Sequence, residues 1–419
     1  IDPNVDVVVF QEAFDPFPRS QELVPGMEAQ GFIYNSGILN DYLPFNGGVI
    51  IFSRFPIEAT DEYDFLLCGP NSGDCFANKG VMYAKVNKLG KAYHIFGTHM
   101  DAGGATEDLV AKNLQFAEMR DFIAAQNIPS GEPALYGGDF NVSPLHGDNL
   151  FPNMLDSLDP LIPDYYGFQN STMGTDTGRI IDNFWVDRRH LLPLELRNEI
   201  VTLRGIEDDM WDISDYSDHR TVLARFSFPD LAHSALDTTI CTGDNYKLEV
   251  TGSGVPLTYQ WMHNGLPIFG ETNDHYWIAG ADSADAGAYA CRVQYLTDAG
   301  NLTDAVNQLF HPNGPENIVA EAMLGDWNIE VECPVAAVEA VFGRVDIYPN
   351  PVKDELRVEV GNLPGKTELE VRDIMGRVML QKVMRQEQMT VEMGDFPAGT
   401  YLLRLKGKKG EMVRRLVVE

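Results

Sequence analysis

The chain has 419 residues, 44% of them hydrophobic, and a formal net charge of −31. This length exceeds what one hydrophobic core fills, so we expect two to four domains. No apolar run is long enough for a transmembrane helix. Residues 1–230 hold 35 acidic and 15 basic side chains, which argues against a nucleic-acid partner, because such partners are bound by neutralising their phosphates. A solvated surface that aids solubility is the better explanation for most of these charges, but the excess still counts against a nuclease.

Residues 1–230 alternate strand-like and helix-like patterns, which is typical of an α/β fold with its chemistry at the strand ends. Apolar residues at helical spacing predict one long amphipathic helix over Glu107–Gln126. Runs of β-formers predict seven strands, at Val5–Phe10, Gly48–Phe52, Val81–Val86, Tyr93–Gly97, Ala134–Tyr136, Ile180–Val186 and Thr221–Phe226.

Three polar segments lie at the ends of predicted strands: Gln11-Glu12, Gly137–Asn141 and Ser217-Asp218-His219. Their carboxylate and amide oxygens suit Mg²⁺, Mn²⁺ or Ca²⁺ better than zinc. An imidazole beside a carboxylate can deprotonate water in a metal-assisted phosphoester hydrolase. Alone, each segment has a structural explanation: a surface Glu, an Asx turn or a structural His. Together, and in this order, they predict such a hydrolase.

The placement of the cysteines favours an oxidising compartment and therefore a secreted protein. Cys68 and Cys75 bracket a loop short enough to be bridged by a disulfide. Cys241 and Cys291 form a second candidate pair, and Cys333 is left over. The alternative is a cytosolic enzyme with five unpaired thiols.

Residues 235–332 lose the helical patterns and show short alternating runs between turns. Cys241, Trp261 and Cys291, with Tyr289 two residues before the second cysteine, make this region resemble an immunoglobulin-like domain. The resemblance implies that Trp261 packs against an inter-sheet disulfide and that Tyr289 forms a tyrosine corner. These are packing roles, so they do not indicate a ligand.

Residues 344–419 are nearly neutral, with 14 basic and 12 acidic side chains. They resemble the C-terminal sorting domain of the type IX secretion system through Tyr348-Pro349-Asn350-Pro351, Asp373–Arg377 and Pro397–Tyr401. The resemblance implies recognition by that machinery, export to the surface or exterior of a Bacteroidota-type bacterium, and later removal of the domain. The alternative is an adhesion-like β module.

The first 230 residues resemble the endonuclease/exonuclease/phosphatase superfamily and, within it, the bacterial neutral sphingomyelinases. The superfamily motifs are Phe10-Gln11-Glu12, Gly97-Thr98-His99, Gly137–Asn141, Asp182-Asn183-Phe184 and Ser217-Asp218-His219. The narrower resemblance rests on Gln11–Asp15, Asn46–Val49 and Ala77–Val81.

This resemblance implies a four-layered α/β sandwich over residues 1–230. Two all-β sandwich domains are expected to follow it, at residues 235–332 and 344–419. The family begins with a strand that carries a metal-binding Asn. Only Ile1–Asn4 precede the first strand here, so we expect that N-terminal strand to be missing, with metal affinity and turnover of this chain affected.

The resemblance also implies a metal site. Glu12 would be the central ligand of Mg²⁺, or of Mn²⁺, Co²⁺ or Ca²⁺. Phe14 would offer its backbone carbonyl to a peripheral second ion. His219 would take a proton from water, with Asp218 orienting its ring and also serving as a candidate metal ligand.

Further residues would act on the phosphate. Asp139 would position the attacking water, and Asn141 would hold a phosphate oxygen. His99 would donate to the phosphoryl oxygen, with Asp182 holding its ring. Lys79 would supply a cation to a phosphate oxygen or would simply be a solvated surface lysine.

The sequence therefore predicts a secreted, metal-dependent phosphodiesterase of the phospholipase C type. We expect a monomer that hydrolyses sphingomyelin or a related phospholipid at a membrane surface, releasing ceramide and phosphocholine. The alternatives are a secreted nuclease or phosphatase of the same superfamily, or a catalytically inactive surface adhesion protein. The acidic surface and Asn78-Lys79-Gly80 argue against nuclease activity.

Overall fold

The protein is described by a computed structural model. The described residues are 2–41, 46–69, 74–144, 150–167, 172–173, 178–203, 217–234, 237–299, 316–331, 342–363, 365–373, 376–408 and 410–419. The chain forms two compact units. The first is Ile1–Ser234, Glu249–Tyr276 and Tyr289–Asp326, and the second is Ala235–Leu248, Trp277–Ala288 and Trp327–Glu419. Within the described residues, no helix combines the length and apolar character that crossing a bilayer requires.

The first unit begins with two sheets. A three-stranded sheet has the order β1-β3-β2, and a six-stranded sheet has the order β4-β5-β6-β7-β10-β8. The strands of the first sheet are β1 (Val7–Phe10), β2 (Tyr34–Ile38) and β3 (Ile50–Ser53). Those of the second are β4 (Ile57–Asp64), β5 (Gly80–Lys88), β6 (Lys91–His99), β7 (Ala134–Asp139), β8 (Pro160–Leu161) and β10 (Asp182–Asp187).

Helices cover the outer faces of these sheets. The predicted long helix is confirmed as α3 (Thr106–Ala125), and α4 (Leu150–Leu158) lies beside it in the same core. On the other side, a helical segment is built from α1 (Pro16–Pro18), a π-helical turn at Arg19–Leu23 and α2 (Val24–Ala29). It contributes Met27 to a core with Ile50 and Phe52.

Alternating side chains on the strands create the layers. On β6, Phe96 packs toward α3 while its neighbour Ile95 packs between the two sheets. Tyr136 and Leu135 divide in the same way on β7, as expected for successive residues of a strand. The result is helix, sheet, sheet and helix, so the predicted four-layered sandwich is confirmed.

Register across the six-stranded sheet aligns the strand ends. Gly80 on β5 pairs with His99 on β6, His99 pairs with Asp139 on β7, and Asp139 pairs with Asp182 on β10. The ladder therefore brings residues distant in the sequence into one transverse row. We call Gly80, His99, Asp139 and Asp182 the strand-end row.

Further strands complete the first unit: β9 (Asp164–Gly167), β11 (Glu195–Val201), β12 (Thr221–Ser227), β13 (Asp230–His233), β16 (Thr258–His263) and β17 (Leu266–Pro267). Four more strands have residues in both units: β15 (Tyr246–Ser253), β18 (His275–Ile278), β19 (Gly287–Ala299) and β20 (Glu316–Val331). Tyr295 of β19 donates a 2.6 Å hydrogen bond to the carbonyl of Leu192. Tyr295, Ala320 and Ala322 also share the intersheet core with Val49.

The second unit is all-β where the structure describes it, apart from a short 3₁₀ turn at Ser283–Asp285. Its C-terminal part contains two sheets, of order β21-β22-β25 and β24-β23-β26-β27, around one core. The strands are β14 (Asp237–Ile240), β21 (Val345–Tyr348), β22 (Glu355–Val360), β23 (Thr367–Asp373), β24 (Val378–Met384), β25 (Gln388–Glu392), β26 (Gly399–Gly407) and β27 (Gly410–Val418). This fits the expected all-β sandwich. The exact bounds of three domains stay a prediction.

The cysteines follow the prediction only in part. Cys68 and Cys75 form the expected disulfide. Cys241 and Cys291 are thiols, so the expected inter-sheet disulfide was wrong. Cys241 lies in a turn after β14, where its N–H donates to Asp244, rather than inside a strand. Trp261 is fully buried and pairs across the sheet with Cys291. Cys333 lies outside the described residues.

Gly138 allows β6 and β7 to approach at the strand-end row. Its φ is +141°, and a Cβ there would lie 1.9 Å from the carbonyl oxygen of Thr98. We expect Gly138→Ala to lower the free energy of unfolding by about 2–3 kcal/mol, because backbone has to move. The control Gly104→Ala should change it by less than about 0.5 kcal/mol, since nothing lies within 4 Å of that Cβ. Equal effects in urea unfolding would contradict this explanation.

Candidate active site

Four predicted site residues meet at one end of the six-stranded sheet. Lys79 precedes β5, His99 and Asp139 end β6 and β7, and Asp182 begins β10. All four are largely buried, with exposed fractions of 9% or less. The sheet register, described above, places three of them in the strand-end row. Residues 20 to 103 positions apart in the chain therefore form one polar cluster.

His219 joins this cluster through Asp182. Its Nδ1 lies 2.9 Å and 3.1 Å from the two carboxylate oxygens of Asp182. The hydrogen bond from the imidazole to Asp182 is the main cause that raises the pKa of His219 to about 9. Because Nδ1 is held in this way, only Nε2 is left for other chemistry.

This pairing corrects two expectations. Asp182 was expected to hold the His99 ring. However, β7 lies between β6, which carries His99, and β10, which carries Asp182. The backbones of the two residues are therefore two strand spacings apart, about 10 Å in total. Asp218 was expected to orient His219, but Asp218 is exposed and contributes the smallest of the charge effects on the His219 pKa. The carboxylate that orients His219 is Asp182.

The environment of Asp139 disfavours its ionised form. Burial first, and the nearby charge of Asp182 second, raise its pKa to about 8. Its Oδ1 accepts from the backbone N–H of Asn141 at 2.8 Å, which is an Asx turn. The Asn141 side chain donates to the Met100 carbonyl at 3.0 Å and to Asp139 at 3.1 Å. The Asx turn that was the structural explanation for this segment is therefore present, and the side chains of Asp139 and Asn141 are in contact.

His99 is held between a cation and a carboxylate. Its Nε2 lies 2.7 Å from Lys79 Nζ and 3.6 Å from Asp139 Oδ2. Burial, followed by the charges of Lys79 and His219, lowers the pKa of His99 well below its usual value. An ammonium can only donate, so Nε2 accepts and the neutral ring carries its proton on Nδ1. That Nδ1 is buried and has no hydrogen-bond partner among the described residues.

Lys79 is therefore not a solvated surface lysine. Its side chain is inside the cluster, and it contacts the imidazole of His99. Its role on a phosphate oxygen stays a prediction.

The loop after β1 borders this cluster. The ring of Phe14 lies 6.5 Å from that of His99, and it covers Gly48, where a Cβ would come within 2.6 Å of Phe14. Glu12 is exposed and has a φ of +58°. A left-handed backbone is uncommon for a residue other than glycine and often marks a functional constraint.

The Phe14 carbonyl does not match its expected role. It accepts hydrogen bonds from Asn46 Nδ2 at 2.7 Å and from Arg19 Nη1 at 3.2 Å. These two donors use both lone pairs of the oxygen, so the residues around it do not fit a peripheral cation. The sequence reasoning missed Arg19. The available signal was that Arg19 is the only basic residue among the first 50.

A central divalent cation fits the donor chemistry. Asp139, Asp182 and His219 form a group whose ligand atoms lie within 4.8 Å of one another. Two close carboxylates in a buried site are stabilised by a nearby cation, and oxygen donors suit a hard one. Glu12 adds an exposed carboxylate on the neighbouring loop.

Comparison with known proteins identifies the family of the first part of the chain. Residues 2–219, just over half of the chain, match the endonuclease/exonuclease/phosphatase family. The chain belongs to that family. Residues 346–419 match the secretion system C-terminal sorting domain, which directs the protein through type IX secretion to the cell surface or outside the cell.

Similar proteins cover about half of the chain. Sphingomyelinase C 2 of Leptospira interrogans is 32% identical over 245 residues, which are 51% of this chain but only 38% of that protein. A phospholipase C of Staphylococcus aureus is 30% identical over 259 residues, covering 53% of this chain and 76% of that protein. A crystal structure of beta toxin from Staphylococcus aureus has 28% identity and a TM-score of 0.48, covering 54% and 87% of the two chains.

The pairing of His219 with Asp182 can be tested by measuring the His219 pKa. NMR titration of the histidine-labelled protein, with a chelator present to remove metal ions, gives this value. We expect a His219 pKa near 9 in the parent protein, since the carboxylate favours the charged ring. Asp182→Asn should lower this pKa toward 6.5. The control Asp218→Asn should leave it near the parent value, because Asp218 is exposed. Equal shifts in both variants would contradict Asp182 as the orienting residue.

Proposed function

We propose that this protein is a secreted, divalent-cation-dependent phosphodiesterase that hydrolyses sphingomyelin to ceramide and phosphocholine. The observation that carries the proposal is the convergence of Lys79, His99, Asp139, Asp182 and His219 at one end of the sheet. Relatives named sphingomyelinase C and phospholipase C support the lipid substrate.

His219 acts as the general base. Asp182 fixes Nδ1 and stabilises the imidazolium that forms when Nε2 takes a proton from water. Asp139 orients that water. We prefer this assignment to metal ligation by His219, because a hard cation such as Mg²⁺ prefers oxygen ligands to an imidazole nitrogen.

His99 and Lys79 stabilise negative charge. His99 lies beside Asp139 in the cluster and supplies a hydrogen bond to the phosphoryl oxygen. The ammonium of Lys79 fixes the tautomer of His99 by donating to its Nε2, and it adds positive charge next to the imidazole. Asn141 holds a second phosphate oxygen. Such preorganised donors are effective where water is excluded.

Glu12 would hold the central cation, with Mg²⁺ as our first choice. Held there, the cation would supply Lewis acidity for the departing alkoxide of ceramide. The exposed position of Glu12 leaves room for substrate.

The substrate class is tested with four candidates: sphingomyelin, phosphatidylcholine, ceramide phosphoethanolamine and DNA. Each is offered to the purified protein with Mg²⁺ and with Mg²⁺ plus excess chelator. We expect release of phosphocholine from sphingomyelin, loss of that release in chelator, and no cleavage of DNA, because the acidic catalytic region repels a polyanion. Cleavage of DNA in preference to the lipids would favour a nuclease instead.

The catalytic assignment is tested by substitution. Glu12→Gln and His219→Ala should each lower kcat by at least about 10²-fold, since each removes a group that acts on the reacting atoms. The exposed residues Glu28 and His233 serve as matched controls, and Glu28→Gln and His233→Ala should retain parent turnover. Parent turnover in Glu12→Gln or His219→Ala would refute the assigned site.

A further inference from the structure

The guanidinium of Arg19 lies against the loop that carries Glu12. Its Nη1 donates to the carbonyl of Ala13 at 2.8 Å and to that of Phe14 at 3.2 Å. Its Nη2 lies 3.2 Å from Asp41 Oδ1. The Arg19 side chain is only 11% exposed, whereas that of Asp41 is 72% exposed. Arg19 therefore places a fixed, largely buried positive charge on two backbone carbonyls beside the site.

Asn46 completes this arrangement. It is 3% exposed, its Nδ2 donates to the Phe14 carbonyl at 2.7 Å, and its Oδ1 accepts from the backbone N–H of Gly48 at 3.0 Å. If the oxygen and nitrogen of this amide were exchanged, an oxygen would face the Phe14 carbonyl oxygen and an NH₂ group would face the Gly48 N–H, so neither hydrogen bond could form. The amide orientation is thus determined by its partners. A donor, not an oxygen ligand, faces the Phe14 carbonyl.

The nearby carboxylates are also engaged. Asp41 pairs with Arg19, and Asp15 Oδ1 accepts from the backbone N–H of Phe17 at the start of α1. A divalent cation at the Phe14 carbonyl would have to displace two N–H donors and approach a guanidinium that lies 3.2 Å from the same oxygen. Coulomb repulsion at that distance opposes binding in a partly buried site.

We propose that Arg19 takes the place of a second, peripheral cation. The guanidinium neutralises the carbonyl dipoles of Ala13 and Phe14, and Asn46 supplies the neutral donor that completes the contact. The protein consequently binds no divalent cation at the Phe14 carbonyl. The proposal builds on the proposed function only in assuming that the Glu12 loop belongs to the active site.

The contact has a positioning role. It fixes the backbone between Glu12 and the start of α1, and it thereby holds the Phe14 ring over Gly48 and beside His99. A permanent side-chain cation does this at any metal concentration. Arg19 and Asn46 are positioning residues, because they touch the loop rather than the reacting atoms.

The experiment counts Mn²⁺ bound per chain by equilibrium dialysis. The double variant Arg19→Gln/Asn46→Asp removes the guanidinium and puts a carboxylate against the Phe14 carbonyl. We expect it to bind one more Mn²⁺ per chain than the parent protein. The single variant Asn46→Asp should show the parent count, since Arg19 is still present to pair with the new carboxylate.

Arg54→Gln is the matched control. Arg54 also donates to two backbone carbonyls, those of Val5 and Gln30, so its loss perturbs the fold in a comparable way. We expect Arg54→Gln to leave the Mn²⁺ count unchanged. A gain there equal to that of the double variant would overturn the proposal, because it would reflect general loosening.

Two further outcomes would overturn the proposal: equal Mn²⁺ counts in the parent and the double variant, or a gain in Asn46→Asp while Arg19 is intact. Glu12→Gln separates this proposal from the proposed function. If Glu12→Gln removes no ion from the parent protein, the central metal assignment fails. A gain of one ion in the double variant would still support the role of Arg19.

Discussion

Two carboxylates that lie close together in a largely buried place impose the main constraint on this structure. Asp139 and Asp182 are paired across antiparallel strands, and burial together with their mutual repulsion raises the pKa of Asp139 to about 8. Positive or hydrogen-bond-donating groups surround these carboxylates. His219 contacts Asp182, Lys79 contacts His99, and the backbone N–H of Asn141 donates to Asp139. The site is thus arranged around compensation of negative charge, which is also what binding of a cation and hydrolysis of a phosphodiester require.

Backbone geometry supplies what the side chains alone could not. The strand-end row exists because β6 and β7 end at the level where β5 and β10 begin. β6 and β7 can approach at that point because residue 138 has no Cβ. Glu12 and Asn141 both have positive φ values. Both residues follow the end of a strand in a predicted site segment, and positive φ values also occur elsewhere, at Leu89 and Asn127 for example.

Local patterns made much of this predictable. The apolar spacing of Glu107–Gln126 located α3 to within one residue, and runs of β-formers located the strands that end at His99 and Asp139. The partners of His219 and Phe14 were not accessible in this way. They depend on which strands become neighbours and on how far a long side chain such as Arg19 reaches, and neither is encoded in local periodicity. The prediction of a Cys241–Cys291 disulfide was wrong for a related reason. Sequence spacing identifies candidate thiols, but it does not show whether both lie in facing strands.

The hydrogen bond from Tyr295 to the Leu192 carbonyl has a consequence for how the protein can be divided. Tyr295, Ala320 and Ala322 close the same intersheet core that supports β6 and β7. Cutting the chain after residue 230 would remove these residues from the intersheet core, at a cost of roughly 25 cal/mol for each Å² of apolar surface uncovered. The smallest fragment that keeps its hydrophobic interior closed is therefore longer than the segment that matches the hydrolase family.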